Sequence, residues 1–519
     1  MDALKKWIFA LLLLSVPLKG EPDMRVKAID FPKSLQWVNT DPLTLDALKG
    51  HVVLLDFWTY CCINCIHVLP DLKYLEEKYK DDPFVVIGVH SPKFDNEKRI
   101  ENVRAAVARY EIRHPVTMDN AHKLWQAYGI RAWPSFLLID SEGRVMGTAS
   151  GEGQRDVLDR SIQILLREGR ENGTLADRKI PIRLDSTEQS LLSFPGKIEI
   201  DPQSRRLFIS NSNRNQIVIV RLESDTTGNI LQTIGSGAPG FEDGSFKTAR
   251  FKQPQGIAYQ DGVLYVADTE NHAIRSVHFD AEDVRTVAGD GRQGRLRRYS
   301  GDPRSVSLNS PWDLALQDHL LYIAMAGNHQ IWELDLKAGQ MSSFAGSGYE
   351  NIVDGALPEA QLAQPSGLAL SGSSLYFADS EVSAIRVAEL DGYRVRTLIG
   401  KGLFEFGRRD GGFDEARFQH PLGIDFHSDT LYVADTYNHA IRYLDLKRKK
   451  TGTLIAREEQ TVCTIDDEDC GLLPLFEPND VLYYRGRLYI ADTNNHLIRV
   501  FDLKSRKLKD LEIKKGGPG

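Results

Sequence analysis

The sequence is poor in cysteine, in excess positive charge and in long apolar runs, and each shortage argues against a class of protein. Five cysteines in 519 residues are too few to staple a disulfide-rich scaffold. The formal net charge of -8 argues against a broad basic surface for nucleic acid or anionic lipid. Beyond the N-terminal segment, no run approaches the roughly 20 apolar residues that a transmembrane helix needs. A globular chain of this length is expected to form two or more domains.

Residues 1–24 have the pattern of a secretory signal peptide or N-terminal anchor. Lys5 and Lys6 precede an apolar run, Trp7 to Leu18, that is short for a membrane span. On the basic flank and the short apolar run we expect export to a periplasm or secretion. The segment around Pro17, however, offers no clean small-x-small cleavage site. The alternatives are an uncleaved anchor, or a true start at Met24 and a cytoplasmic protein.

Three of the five cysteines lie together in the stretch Cys61-Cys62-Ile63-Asn64-Cys65. The apolar run Val52 to Leu55 before it predicts a buried strand, and the helical spacing of apolar residues after it predicts a helix. Cys62 and Cys65 form a C-x-x-C at this junction. Backbone N–H groups and the dipole at a helix N-terminus stabilise a thiolate, so the stretch predicts dithiol chemistry.

Residues 25–170 are predicted to form a small α/β domain. Apolar runs indicate further strands at 84–89 and 136–139, and helical spacing indicates helices at 97–110 and about 121–128. Asp140 to Gly143 has the composition of a hairpin turn. Strands that alternate with helices and end in a hairpin are typical of an α/β sheet domain.

This order of motifs resembles the thioredoxin superfamily, above all its membrane- and periplasm-associated branch. The resemblance implies that Cys62 is the attacking thiol and Cys65 the resolving thiol. It further implies that Asp56 is the buried carboxylate that exchanges a proton with the resolving sulfur, and that Pro134 is a cis-proline beside the substrate groove. Cys61, where family members often carry Trp, and Ile63-Asn64, in place of Gly-Pro, depart from the family pattern.

Other interpretations of the C-x-x-C motif are open. A structural zinc site would need two more ligands, and the sequence has no second C-x-x-C. His67 lies one residue too far along the chain for the C-x-x-C-H haem pattern. The main alternative is a thioredoxin-like fold with a structural or redox-sensing role and no turnover. We expect no metal and no cofactor apart from the dithiol itself.

The second half of the chain repeats. A block of the type Leu-Tyr-Val-Ala-Asp-Thr-x-Asn-His-Ala-Ile-Arg recurs at intervals of 54 to 57 residues. Its anchor residues are Phe208, Tyr265, Tyr322, Tyr376, Tyr432 and Tyr489. Six strand-turn-strand units near this period predict a six-bladed all-β propeller over residues 191–519, and the repeat resembles the NHL family. Residues 171–190 between the two domains are predicted to be a linker.

The repeated histidines His272, His329, His439 and His496 could suggest a metal site. Equivalent positions on different blades are spread around a ring and do not converge on one ion, so we expect a structural role. The long Gly-rich connections between blades should open on one face, the usual binding face of a repeat fold.

Two more features bear on partners and localisation. The arginines at positions 292, 295, 297 and 298 could meet RNA, but the acidic chain and the lack of interleaved aromatic residues favour a solvated loop. Cys463 and Cys470 flank an acidic loop. A disulfide between them would fit an exported protein, and two thiols a cytosolic one. The tail after Lys504 is expected to supply the outer strand of the last blade.

The combination of a thioredoxin-like domain and an NHL propeller, in this order, resembles the NHL repeat-containing protein 2 family. We expect a thiol-disulfide oxidoreductase whose propeller docks a protein substrate or partner, with no nucleic acid. The alternative is a non-catalytic scaffold that binds partners through the propeller.

Overall fold

The computed structural model describes residues 25–184, 190–457 and 474–515. They form two compact units, one of residues 25–184 and one of the remaining described residues. The predicted leader and the pair Cys463 and Cys470 lie outside the described residues, so these two predictions stay predictions. No helix in the described ranges is long and apolar enough to cross a membrane.

The first unit contains a six-stranded sheet and five α-helices. In chain order its elements are β1 (Trp37–Val38), α1 (Leu45–Leu48), β2 (Val52–Trp58), α2 (Ile63–Lys78), β3 (Phe84–His90), α3 (Ile100–Arg109), β4 (Val116–Met118), α4 (Lys123–Ala127), β5 (Ser135–Ile139), β6 (Val145–Ser150) and α5 (Arg155–Asn172). The strand order is β1-β4-β3-β2-β5-β6. The central strands β2, β3 and β4 are parallel, and the other pairs are antiparallel.

Strand β2 is buried on both faces, as its continuous apolar run predicts. Its residues Val53, Leu55 and Phe57 pack into one apolar cluster. Val52 and Leu54 pack into a second cluster with residues of α2 and α5. Because side chains alternate along a strand, Asp56 lies on the same face as Leu54, towards α2.

Helix α5 is the main element of this unit that we did not predict. Its apolar residues Leu158, Ile162, Leu165 and Leu166 have helical spacing and are all buried. The helix ends at Gly173, whose φ of 66° is the left-handed conformation of a glycine cap. The following residues stay on this unit, since the Ala176 N–H donates to the Gly50 carbonyl (2.9 Å) and the Arg183 N–H to the Asn39 carbonyl (2.8 Å).

The second unit is a six-bladed β-propeller, which confirms the predicted fold. From inner to outer strand, the blades are: blade 1, Pro195–Asp201, Arg206–Asn211, Gln216–Leu222 and Thr227–Ile234; blade 2, Ile257–Gln260, Val263–Asp268, Ala273–His278 and Asp283–Ala288; blade 3, Pro311–Gln317, Leu320–Met325, Gln330–Asp335 and Gln340–Ala345; blade 4, Pro365–Ser371, Ser374–Asp379, Ala384–Glu389 and Arg394–Ile399; blade 5, Gly423–His427, Thr430–Asp435, Ala440–Asp445 and Lys450–Ala456; blade 6, Pro478–Tyr484, Arg487–Asp492, Leu497–Asp502 and Leu508–Asp510.

Among the described residues, a short fifth strand lies outside the outer strand in blades 1 to 5. These strands are Gly244–Ser245, Ser300–Gly301, Gly355–Ala356 and Gly411–Gly412 on blades 2 to 5, and Glu512–Lys514 on blade 1. The first four belong to the Gly-rich connections that precede their blades. These connections therefore contribute to the sheets as well as linking them.

The ring closes between blade 6 and blade 1. The tail supplies the outer strand of blade 6, Leu508–Asp510, as predicted, and then the strand Glu512–Lys514, which pairs in parallel with the outer strand of blade 1. Near the propeller axis, the buried Lys197 ammonium of blade 1 lies 3.4 Å from Asp480 of blade 6 and 3.2 Å from Asp313 of blade 3. The four main strands of each blade come from one contiguous segment, so closure depends on contacts between chain segments far apart in sequence.

Candidate functional site

Cys62 and Cys65 lie where β2 leads into α2. Cys62 is the N-cap residue of α2 and is half-buried, whereas Cys65, in the first turn, is 1% exposed. The amides of Cys65 and Ile66 both donate to the Cys62 carbonyl, at 3.0 and 3.2 Å. None of Cys61, Cys62 and Cys65 is in a disulfide. A half-exposed first cysteine followed by a buried second cysteine is the arrangement that dithiol exchange requires.

The surroundings of Cys65 favour its protonated thiol. Burial raises its pKa well above the ordinary value, and a hydrogen bond to Cys62 and the negative charge of Asp56 act in the same direction. Cys65 therefore cannot attack at neutral pH unless a nearby base takes its proton.

Asp56 has the burial and the pKa expected of such a base. It is 1% exposed, and neither of its carboxyl oxygens has a hydrogen-bond partner among the described residues. Burial raises its pKa to about 7, and the positive charge of His114 opposes that shift. A carboxyl group with a pKa near neutrality can both accept and return a proton at working pH.

The Trp133–Pro134 peptide is cis, as the resemblance implies. The antiparallel register pairs Phe57 of β2 with Ser135 of β5, so Pro134 lies at the end of β2 that leads into the redox motif. The Gly151 N–H donates a hydrogen bond to the Pro134 carbonyl at 2.9 Å. The structure thus brings Asp56, the dithiol and Pro134 to one end of the sheet. Their catalytic roles remain predictions.

Two buried residues near this motif, His90 and Glu97, were missed by the sequence reasoning. The His90 ring stacks on Tyr60 with centroids 5.5 Å apart, and burial lowers the pKa of His90 to about 3. Glu97 is 0% exposed and bonds to Thr59 and Cys61. Neither residue belongs to a spaced motif, and the only signal is a polar side chain at the end of β3 or just after it.

No group of three or more His, Cys, Asp or Glu side chains within the described ranges could hold a metal ion. His67, the nearest histidine to the C-x-x-C in sequence, has its Nδ1 2.7 Å from Glu152 Oε1. This contact joins α2 to the loop before α5.

In the propeller, the Gly-rich connections and the turns between second and third strands lie on one face, as predicted. The side-chain amide of Asn271 donates to the Gly240 carbonyl at 2.6 Å, that of Asn328 to Leu296 at 3.0 Å and that of Asn438 to Gly407 at 2.9 Å. Each bond joins a turn to the connection before its own blade. We call this side of the propeller the loop face.

The repeated histidines link neighbouring blades, in agreement with the structural role expected for them. Each accepts, at Nδ1, a backbone N–H from the segment that leads into the next blade, at 3.0 to 3.1 Å. The pairs are Ser310 to His272, Gln364 to His329, Glu477 to His439 and Phe194 to His496. Asn215 and Ser383 accept in the same way in blades 1 and 4. An accepting Nδ1 carries no proton, so these rings are neutral with the proton on Nε2.

Four blades contain a fully buried arginine that the sequence reasoning treated only as part of a returning strand. Each arginine bonds to the aspartate seven residues before it; the pairs are Asp268–Arg275, Asp379–Arg386, Asp435–Arg442 and Asp492–Arg499. We call these pairs the Asp–Arg clasps. Their fixed spacing within the repeat was the signal that could have identified them.

In blades 2, 4 and 5 the clasp also holds the Gly-rich connection. Arg275 donates to the carbonyls of Arg250 (2.9 Å) and Glu242 (2.8 Å) and to the carboxylate of Asp243 (2.7 Å). Blade 3 has Met325 and Trp332 at the clasp positions, both buried. The connection before blade 3, which carries the four arginines at 292, 295, 297 and 298, therefore has no clasp.

Comparison with known proteins agrees with both halves. A thioredoxin-like family model matches residues 50–145, and an NHL repeat model matches residues 251–275. The human NHL repeat-containing protein 2 is 39% identical over 535 residues, which cover 95% of this chain and 72% of that protein. The chain belongs to the NHL repeat-containing protein 2 family.

Two further proteins are similar to this chain, one over almost its whole length and one over a much shorter segment. Protein SUPPRESSOR OF QUENCHING 1, chloroplastic, of Arabidopsis thaliana is 44% identical over 507 residues, 93% of this chain. The chain spans about half, 47%, of that relative's length. Thiol-disulfide oxidoreductase ResA of Bacillus thuringiensis (strain Al Hakam) is 30% identical over 117 residues, which cover 22% of this chain and 65% of that protein.

Proposed function

We propose that this chain is a thiol-disulfide oxidoreductase whose propeller docks a protein substrate or partner. The observation that carries the proposal is the arrangement of a half-exposed Cys62, a buried Cys65 and a buried Asp56 carboxyl that has no hydrogen-bond partner among the described residues. The name of the relative ResA, a thiol-disulfide oxidoreductase, supports the same chemistry.

The exchange begins with the Cys62 thiolate, which attacks one sulfur of a substrate disulfide. The substrate S–S bond breaks, a Cys62–substrate disulfide forms, and the leaving thiolate takes a proton from solvent. Asp56 then accepts the proton of Cys65, and the new thiolate attacks Cys62. The second substrate thiol leaves, so two electrons have passed to the substrate and Cys62–Cys65 is oxidised. The same steps in reverse form a disulfide in the substrate.

Insulin reduction by the full chain, with dithiothreitol to regenerate the dithiol, tests this chemistry. We expect turnover in the wild type and none in Cys62→Ser. Cys65→Ser should stop at the Cys62–substrate disulfide, which is visible as a covalent adduct. Cys61→Ser is the matched control, because it changes a neighbouring thiol that has no role in the exchange, and it should retain turnover.

Equal, near-zero turnover in the wild type and in Cys62→Ser would contradict the enzymatic proposal. That outcome would favour the alternative, a scaffold or redox sensor that binds partners without turnover.

For the docking half of the proposal, the loop face is the candidate surface. Each of four successive connections carries a large apolar side chain there that is between 37% and 69% exposed; these are Phe241, Leu296, Tyr349 and Phe404. Exposed apolar side chains on several loops of one face are typical of an interaction surface. The Arg297 guanidinium lies 4.0 Å from the Tyr349 ring centroid, and Arg298 pairs with Glu359 at 3.3 Å. Arg297 and Arg298 thus already have contacts within the protein.

Covalent trapping tests the docking surface. In a Cys65→Ser background, native substrates remain attached to Cys62 and can be identified by mass spectrometry. We expect Leu296→Ser with Tyr349→Ala to lower the yield of those adducts but not of the adduct with insulin. Tyr393→Ala is the control: Tyr393 is 70% exposed, in a turn on the opposite face. An unchanged yield in the loop-face variant would contradict docking at this surface.

A further inference from the structure

Glu97 is a fully buried carboxylate beside the dithiol that the exchange described above does not use. It lies in a short 3-10 turn, Asn96–Lys98, between β3 and α3. The side chain is 0% exposed. Burying a carboxylate is costly unless hydrogen bonds compensate, so its partners show what it holds in place.

Four donors from two loops converge on Glu97. From the redox loop, the Thr59 hydroxyl donates to both carboxyl oxygens at 2.7 Å, and the Cys61 N–H donates to Oε1 at 3.1 Å. From the loop after β3, the backbone N–H groups of Lys93 and Phe94 donate to Oε2 at 2.8 and 2.9 Å. Glu97 therefore ties the residue directly before Cys62 to a loop more than 30 residues further along the chain.

All four donors are neutral groups. Among the described residues, no lysine, arginine or histidine side chain forms an ion pair with Glu97. Within the described ranges, the Cys61 sulfur lies 3.8 Å from the Thr59 hydroxyl and the His90 ring stacks on Tyr60. Burial and, to a lesser degree, the charge of His122 keep His90 uncharged by lowering its pKa to about 3. Burial raises the pKa of Glu97 to about 7, against the pull of the hydrogen bonds from Phe94, Thr59, Lys93 and Cys61.

Two consequences follow for the neighbouring thiol. The carboxylate fixes the backbone that presents Cys62, since without it the buried Cys61 N–H would lose its acceptor. When ionised, Glu97 also places a negative charge 3.1 Å from the backbone nitrogen of Cys61, the residue directly before Cys62. A like charge close to a sulfur disfavours its thiolate.

We propose that Glu97 is a positioning residue that holds the Cys62 loop and makes the Cys62–Cys65 couple more reducing. This inference rests on the proposed function. Its readouts, however, are properties of the dithiol and do not require turnover.

Glu97→Gln removes the charge and keeps the size. Its amide can still accept from Lys93 and Phe94 and can donate to the Thr59 hydroxyl, so only the Cys61 N–H loses its acceptor. We expect the midpoint potential of the couple to become more positive by about 30 mV, which for two electrons is a tenfold change in the equilibrium constant. The rate of Cys62 alkylation by iodoacetamide, followed by tandem mass spectrometry, increases with pH, and in Glu97→Gln this increase should begin at a lower pH than in the wild type.

Glu101→Gln is the matched control, because Glu101 is an exposed glutamate on α3 and the chemical change is the same. Glu97→Asp keeps the charge but shortens the reach, so it should slow exchange without making the potential more positive. If Glu97→Gln does not fold, Thr59→Ala removes one donor and should shift the potential in the same direction by less.

The proposal is overturned if the potential and the alkylation profile of Glu97→Gln, or of Thr59→Ala where the first does not fold, equal those of the wild type. Absence of turnover in the insulin assay together with the expected shifts would contradict the enzymatic function but not the role of Glu97.

Discussion

Asp56 in the thioredoxin-like unit and Asp268 in the propeller are equally buried but differ in their partners. Asp268 accepts from the Lys252 N–H (2.7 Å), the Asn271 side-chain amide (2.8 Å) and Arg275 (2.8 Å). Asp56 has no hydrogen-bond partner among the described residues.

This difference separates a carboxylate that holds the fold together from a carboxylate that is suited to proton transfer. Burial raises the pKa of Asp268 to about 6, with Arg275 opposing it, so Asp268 stays ionised at neutral pH. Burial raises that of Asp56 to about 7, where the group exchanges its proton readily. A partnerless buried acid is costly for a fold, and its presence at the dithiol is consistent with a role in proton transfer.

The largest effect is expected when a clasp is broken. Arg275→Met leaves Asp268 buried without its cation, and we expect a loss of about 3–5 kcal/mol in the free energy of unfolding of the propeller. Calorimetry of the full chain measures this as a lower melting temperature of the propeller transition.

Two variants control this experiment. Arg285→Met breaks an ion pair whose arginine is 57% exposed and should cost less than about 1 kcal/mol. The double change Asp268→Met with Arg275→Met copies the apolar character of blade 3 and should recover most of the loss. Equal costs for Arg275→Met and Arg285→Met would show that the clasp has no special role.

Asp56→Asn should raise the free energy of unfolding, whereas breaking a clasp lowers it. The pKa of Asp56 in the fold lies above the ordinary value of 3.8, so the protonated form favours folding. Its stabilisation is fully present below about pH 4 and is lost as pH rises through about 7. The uncharged Asn variant should therefore match the wild type near pH 4 and exceed it by up to about 4 kcal/mol at pH 8.

Urea unfolding of the full chain at the two pH values measures that gain. Glu97 contributes a slope of the same sign in both proteins, so the difference between them isolates Asp56. Asp156→Asn, at a 79% exposed position, is the control. A variant less stable than the wild type at pH 8 would contradict the assignment. In the insulin assay, Asp56→Asn should slow the release of product from the Cys62–substrate disulfide.

A smaller effect is expected at the links between blades. His439→Ala leaves the buried Glu477 N–H without its acceptor and should cost about 1–3 kcal/mol. His439→Asn should recover part of this loss, because Asn215 makes the same link in blade 1. Thermal melting of the propeller measures both, with the half-exposed His319→Ala as control. A loss in His319→Ala as large as in His439→Ala would contradict the linking role.

The sequence predicts what depends on local pattern. The six blades follow from a repeated block, and the strand–C-x-x-C–helix order follows from the periodicity around Cys62. Helix α5 also has apolar residues at helical spacing, with Leu158 and Ile162 one turn apart. The same periodicity could therefore have predicted it, and we missed it. The short fifth strands of the propeller, two residues each in blades 2 to 5, carry no periodicity that could reveal them.

The functions of buried polar residues depend on packing between distant segments. Glu97 is one acidic residue among many until the fold brings the loop after β3 against Thr59 and Cys61. His114 and Asp56 are 58 positions apart, and only the sheet brings them near each other. Asp56 was found from sequence because it belongs to a known motif, which no spacing rule supplies for Glu97.

The way the ring closes also sets an order for folding during synthesis. The four main strands of each blade are contiguous and joined by short turns, so their contacts can form once those strands have been made. The links at the closure span almost the whole propeller, such as Phe194 to His496, 302 residues apart. Blade 1 must therefore wait, with its outer strand unpaired at one edge, until the segment through Lys514 has left the ribosome. During that interval the exposed edge is open to mispairing, and a chaperone that covers blade 1 would act there.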